Sequence, residues 1–179
     1  GLEEGIIIAQ ELEKCGADAL VLSGGFVSKA PMYVMRGEMP IHTMTHYMSQ
    51  KWLKYSVRMC GRMMIKNEPY RDLYFLDDAL EIRKNVKMPL IYVGGCASRE
   101  GIEKVLHSGF DAFQMARALI VEPDFVNRMA QGQERSACDH VNYCIARMYS
   151  LDMVCHKHCE CLPKGILKEI EQIKRRQGK

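Results

Sequence analysis

Two hydrophobic periods alternate along the chain. From Glu3 to Cys15, apolar residues at Ile6, Ile7, Ala9, Leu12 and Cys15 recur at helical spacing and stop at Gly16. Asp18-Ala19-Leu20-Val21-Leu22 then predicts a buried strand ending in Ser23-Gly24-Gly25. The same grammar returns with a helix over Tyr74–Val86, a strand over Pro89–Val93 and a stop at Gly94-Gly95. A third copy follows, with Ser98 as N-cap, a helix to Leu106, a stop at Gly109 and a strand over Asp111–Met115. A short helix from Asp124 to Gln131 comes after Glu122-Pro123. Apolar strands alternating with helices predict parallel strands covered by helices, an α/β architecture.

Between the first and second copies lies an excursion from Phe26 to Arg71. Met44 to Ile65 is rich in helix formers, and Tyr47, Trp52, Tyr55 and Met59 fall on one stripe. Such a stripe is expected to pack as core or lid rather than hold a cofactor. The pattern continues at Met63 and Met64 until Asn67-Glu68-Pro69 breaks it. The tail from Gly165 to Lys179 predicts a charged helix with a solvated face. These shifts divide the chain into an α/β unit over 1–135, a Cys/His-rich segment over 136–162 and a C-terminal helix over 163–179.

Composition narrows the function classes. Of 179 residues 47% are hydrophobic and 26% charged, the balance of a globular chain. The net charge of +3 gives no reason to expect nucleic acid or an anionic membrane as partner. No apolar run approaches the roughly 18 residues of a membrane span. The opening Gly-Leu-Glu-Glu has no signal-peptide character, and a start without Met inside a helical pattern suggests that the beginning is missing. Three of the eight cysteines (Cys15, Cys60 and Cys96) are scattered, and five crowd into positions 138–161. Free thiols in a cytoplasmic setting, with one local cluster able to hold metal, are expected rather than a disulfide framework.

The candidate chemistry lies at two strand ends. Gly94 and Gly95 follow one strand, and Ala116-Arg117 follows the next. Backbone N–H groups at small residues can approach a phosphate closely, and Arg adds a charge-assisted fork. In an α/β barrel the loops after the last two strands form a common phosphate site. Taken singly, the glycines are turn residues and Arg117 a surface ion-pair partner. Together, one helix apart, they point to phosphate binding.

The run PLIYVGGCASREGIEKVLHSGFDAFQMARALIVEPDFVNRMAQGQ resembles the C-terminal quarter of the old yellow enzyme family, the FMN-dependent NADH:flavin oxidoreductases and 2,4-dienoyl-CoA reductases. LEEGIIIAQELEKCGADALVLSGG is similar to that family's fifth helix and sixth strand, so the resemblance runs from about Leu2 to about Cys155. It implies the C-terminal portion of a TIM (β/α)8 barrel, with three of its strands. Gly94, Gly95 and Cys96 would bind the FMN phosphate through N–H groups after the seventh strand, and Ala116 and Arg117 would complete the site after the eighth. The family has Gly where this chain has Ala116. The implied activity is NAD(P)H-driven reduction of an activated C=C bond in a small-molecule substrate. The family's proton-donating Tyr and its substrate-holding His/Asn or His/His pair belong to earlier strands, and His42, His46 and Tyr47 do not match them. No catalytic residue is therefore assigned here, and the chain by itself is expected to be inactive and, with open sheet edges, to self-associate as a homo-oligomer.

Cys138, Cys144 and Cys155 match three positions of the family's iron–sulfur motif, but Val141 stands where the second cysteine belongs. Such clusters take four thiolates, so a clusterless remnant is expected. Substitution by Cys159, Cys161, His140, His156 or His158, and adventitious zinc, stay open. Two other functions also stay open: a phosphate-binding barrel isomerase or aldolase, and a non-catalytic half-barrel.

Overall fold

The computed structural model describes residues 1–24, 36–65, 67–148 and 152–178. Gly25, the last residue of the first expected strand end, lies outside the described residues. Helix α1 (Leu2–Lys14) leads into strand β1 (Leu20–Leu22), and helix α4 (Leu76–Asn85) into β2 (Leu90–Val93). Helix α5 (Arg99–His107) leads into β3 (Ala112–Gln114). The strands form one parallel sheet in the order β1-β2-β3. Leu20 lies opposite Leu90, and Val93 opposite Gln114, so the β2 and β3 ends finish side by side.

The central strand is the most buried, as its continuous apolar run requires. Leu90 and Tyr92 are fully enclosed, and the Tyr92 hydroxyl donates to the Gly94 carbonyl at 2.7 Å. Asp111 fixes the start of the β2–β3 pair from both chain and side chain. Its N–H donates to the Leu90 carbonyl (3.0 Å), and its Oδ2 accepts from the Leu90 N–H (2.9 Å). Ser98 caps α5, its Oγ accepting from the Gly101 N–H at 3.2 Å. After β3 come short helices α6 (Arg117–Val121) and α7 (Phe125–Ala130). Phe125, Val105 and Phe110 fill the main core beside the sheet.

The excursion departs from a single long helix. It forms α2 (Ile41–His46) and α3 (Lys51–Met64), interrupted over 47–50. Gly61 lets α3 approach α2: a Cβ there would lie 3.3 Å from Ile41 Cδ1. The stripe expected to pack as core or lid does neither: Trp52, Tyr55 and Met59 are exposed. Tyr47 is the exception, its hydroxyl 2.9 Å from that of Tyr143 on α8 (Tyr143–Ala146).

The C-terminal helix α9 (Lys164–Arg176) is likewise not a fully solvated element. Ile166, Ile170 and Ile173 lie one turn apart and are buried against Val141 and Tyr143. On the same helix the buried Glu169 accepts from the N–H groups of His42 and Thr43 and from the Thr43 hydroxyl, all at 2.8–2.9 Å. A carboxylate from α9 thus satisfies the otherwise orphaned first-turn donors of α2. Among the described residues, no helix is long and apolar enough to cross a membrane.

Candidate functional site

The ends of β2 and β3 border a small cleft of about 70 Å³. Its lining includes all five residues expected at a phosphate site: Gly94, Gly95, Cys96, Ala116 and Arg117. Gly94 and Gly95 both have positive φ (131° and 77°), a conformation that favours glycine. They are also wedged against the segment before α4. A Cβ on Gly94 would meet Phe75 Cδ2 at 2.7 Å, and one on Gly95 would meet the Leu73 backbone nitrogen at 2.7 Å. Their carbonyls turn to the protein, where Gly95 accepts from the Leu73 N–H (3.3 Å) and the Tyr70 hydroxyl (3.4 Å). Among the described residues, the N–H groups of Gly95, Cys96 and Ala116 donate to no protein acceptor.

Arg117 supplies the positive charge. Its Nη1 donates to Asn142 Oδ1 (2.6 Å) and to the Arg36 carbonyl (3.0 Å), and its Cζ lies 5.3 Å from the centre of the Tyr70 ring. Among the described residues it has no carboxylate partner, so it is not the surface ion-pair residue of the simpler reading. A guanidinium held by neutral acceptors keeps its charge for an incoming anion. Unpaired N–H groups, an uncompensated cation and room for a few waters fit one phosphate group, such as that of FMN. The cleft itself has no room for a flavin ring.

Sequence reasoning missed the wall. Tyr70 stacks on His140 with ring centres 3.5 Å apart and planes at 15°. Its hydroxyl donates to Asp72 Oδ1 (2.9 Å), and Asp72 is gripped by both Nη atoms of Arg135 (2.7 and 2.8 Å). Burial, with Asp72 beside it, pushes the Tyr70 hydroxyl pKa far up, so it stays a neutral donor. Asn142 was also missed. It is 2% exposed, takes a left-handed conformation (φ 57°), and donates from Nδ2 to the Arg36 and Glu38 carbonyls. The tyrosines left a faint trace as an i, i+4 pair, Tyr70 and Tyr74. Nothing in the sequence marks Asn142.

The Cys-rich segment backs onto the same arginine. Cys138, Cys144 and Cys155 line one cavity of about 10 Å³ that also touches Arg117, and Val141 lies among them. That is room for about one water, not for an iron–sulfur cube. Burial raises the pKa of all three thiols, that of Cys144 to about 11. Among the described residues, no group of three or more His, Cys, Asp or Glu is arranged to hold a metal ion. The residues present do not fit a four-iron cluster. Beside the cavity, Asp139 takes hydrogen bonds from His156 (2.9 Å) and Lys174 (2.9 Å). Burial alone would raise its pKa, but these partners outweigh it and hold the carboxyl well below the usual range.

Comparison with known proteins gives one relationship. Over 151 residues the chain is 34% identical to the 4,4'-dithiodibutanoate disulfide reductase of Rhodococcus erythropolis. The chain is related to an oxidoreductase. The alignment covers 83% of this chain and 37% of that protein, so the chain spans little more than a third of its relative's length. No protein-family model and no solved structure matches it.

Proposed function

We propose that this chain forms the FMN-phosphate end of an NAD(P)H-dependent oxidoreductase built on a (β/α)8 barrel of the old yellow enzyme type. The observation that carries the reading is the convergence of two consecutive parallel strands on one cleft. There, N–H groups of Gly95, Cys96 and Ala116 and an arginine, none of them paired with an acid among the described residues, meet. The relationship to a disulfide reductase supports redox chemistry over the sugar-phosphate isomerase or aldolase alternative.

When bound, FMN would relay a hydride from the nicotinamide to the acceptor. The acceptor is an electrophilic two-electron bond: an organic disulfide, as in the relative's name, or an activated C=C. This chain's residues would hold and orient. Arg117 would neutralise the phosphate, Asn142 would fix the guanidinium, and the Tyr70–Asp72–Arg135 relay would stiffen the wall. Cys96, its pKa pushed up to about 12 by burial, would contribute its N–H rather than a thiolate.

The test is flavin occupancy in the protein as expressed in its natural reading frame. Flavin absorbance that survives dialysis, is released as FMN on denaturation and falls in Arg117→Ala is the expected result. A colourless protein that instead binds a sugar phosphate at the same arginine would refute the reading.

A further inference from the structure

Helix α3 has two unlike long edges. Along one, Leu53 and Val57 are half-buried and Gly61 is buried against α2. Along the other, Trp52, Tyr55, Met59 and Met63 recur at spacings of three and four, a single stripe. They are 72%, 69%, 83% and 85% exposed. Isolated exposed apolar residues are ordinary, but four large ones in a row mark an interaction surface.

The charge on α3 is as one-sided as its apolar surface. Lys51, Lys54, Arg58 and Arg62 lie within the helix and no acidic residue does, so these four cations exceed the net +3 of the whole chain. At 100° per residue, Lys51, Arg58 and Arg62 occupy a wedge of about 40° bordering the apolar stripe. None of the four forms an ion pair among the described residues. Lys54 and Arg58 reach only the His46 carbonyl (3.4 Å) and the Thr45 hydroxyl (2.9 Å). Lys51 and Arg62 make no hydrogen bond among the described residues.

We propose that this face of α3 docks on an anionic lipid surface. A second copy laid against it would set four cations against four, with no acid to separate them. A protein groove that encloses a helix would need the edge already packed on α2. A flat anionic interface accepts the exposed half as it stands. Trp and Tyr suit the headgroup boundary, the Met side chains enter the acyl layer, and the flanking Lys and Arg meet the phosphates. The modest overall charge, which by itself speaks against a membrane partner, averages out a cationic strip with a local job.

Trp52 is the chain's single tryptophan, so its emission reports on this face alone. The experiment titrates the protein with vesicles of phosphatidylcholine, with and without phosphatidylglycerol. The expected result is a blue shift and a rise in Trp52 emission with the anionic vesicles only, suppressed by salt. Lys51→Gln with Arg62→Gln should weaken partitioning about 30-fold, as expected for two cations near such a surface. Met59→Ser with Met63→Ser should weaken it while leaving the unfolding midpoint unchanged, since both side chains are exposed. Unchanged emission with anionic vesicles overturns the proposal, as does an equal shift with both vesicle types. A blue shift that grows with protein concentration without vesicles assigns the face to a second copy and overturns it too. A shift with polyglutamate and none with vesicles assigns the face to an acidic protein and likewise overturns the lipid proposal.

Discussion

Arg117 Nη1 and Asn142 Oδ1 lie 2.6 Å apart, and both residues reach the carbonyl of Arg36. The arginine is therefore aimed by a neutral amide rather than neutralised by an acid. Arg117→Ala should weaken FMN retention by about 10- to 150-fold, the worth of a charge-assisted hydrogen bond. Asn142→Ala should act in the same direction but less strongly, because the charge remains and only its aim is lost. Flavin titration of the two variants checks the order; equal affinity in all three proteins would sever Arg117 from the site.

Gly95 tests how tightly the strand end is built. Alanine there meets the Leu73 nitrogen and the Arg71 carbonyl, both backbone atoms that cannot swing aside. Gly95→Ala should cost about 2–4 kcal/mol through overpacking and a disfavoured φ. Urea unfolding measures it, and a loss under about 0.5 kcal/mol would mean that the 71–75 segment yields.

The acid limb of the stability curve should carry the mark of Asp139. Its carboxyl is held below the usual range in the folded state, so its contribution is fully present above the unfolded value near pH 4 and is lost as pH falls below it. Asp139→Asn should lower stability at pH 7 and flatten the loss as pH falls from about 5 toward 2. Parallel slopes for the two proteins over that window would contradict this.

Protein purified without oxygen should contain no stoichiometric iron–sulfur cluster, because Val141 stands in place of the motif's second cysteine and leaves three thiols in the lining. Val141→Cys places a fourth thiol in the same lining and is the variant expected to gain iron. About four irons per unmodified chain, by iron assay, would show that other ligands complete the site.

Legibility in the sequence followed the strength of the local pattern. Helices α1, α4 and α5 and their strands were readable because apolar periodicity agrees with Gly or Ser punctuation around α1 and α5, and with Pro89 between α4 and β2. The break between α2 and α3 was not, since residues 47–50 hold neither Gly nor Pro. The buried face of α9 was readable in principle: Ile166, Ile170 and Ile173 keep a helical period that its many charges obscure. At the candidate site, the residues that would touch a ligand stood out because glycines and an arginine at strand ends are unusual. Those that position them did not, because the stacking of Tyr70 on His140 and the aim of Asn142 join segments 25–106 residues apart.

Glu169 and the first turn of α2 are separated by 126 and 127 positions. On a ribosome adding about 5–20 residues per second, that gap lasts roughly 6–25 s. Throughout it, the donors of His42 and Thr43 have only water for partners, and the Ile166–Ile173 ridge has yet to be made. The parallel sheet waits less: Leu20 and its partner Leu90 are 70 positions apart, roughly 4–14 s at the same rate, and β3 is complete by Gln114. Synthesis therefore presents the cleft-forming half first and the clasped half last, and a nascent chain spends those seconds with α2 uncapped and within reach of chaperones.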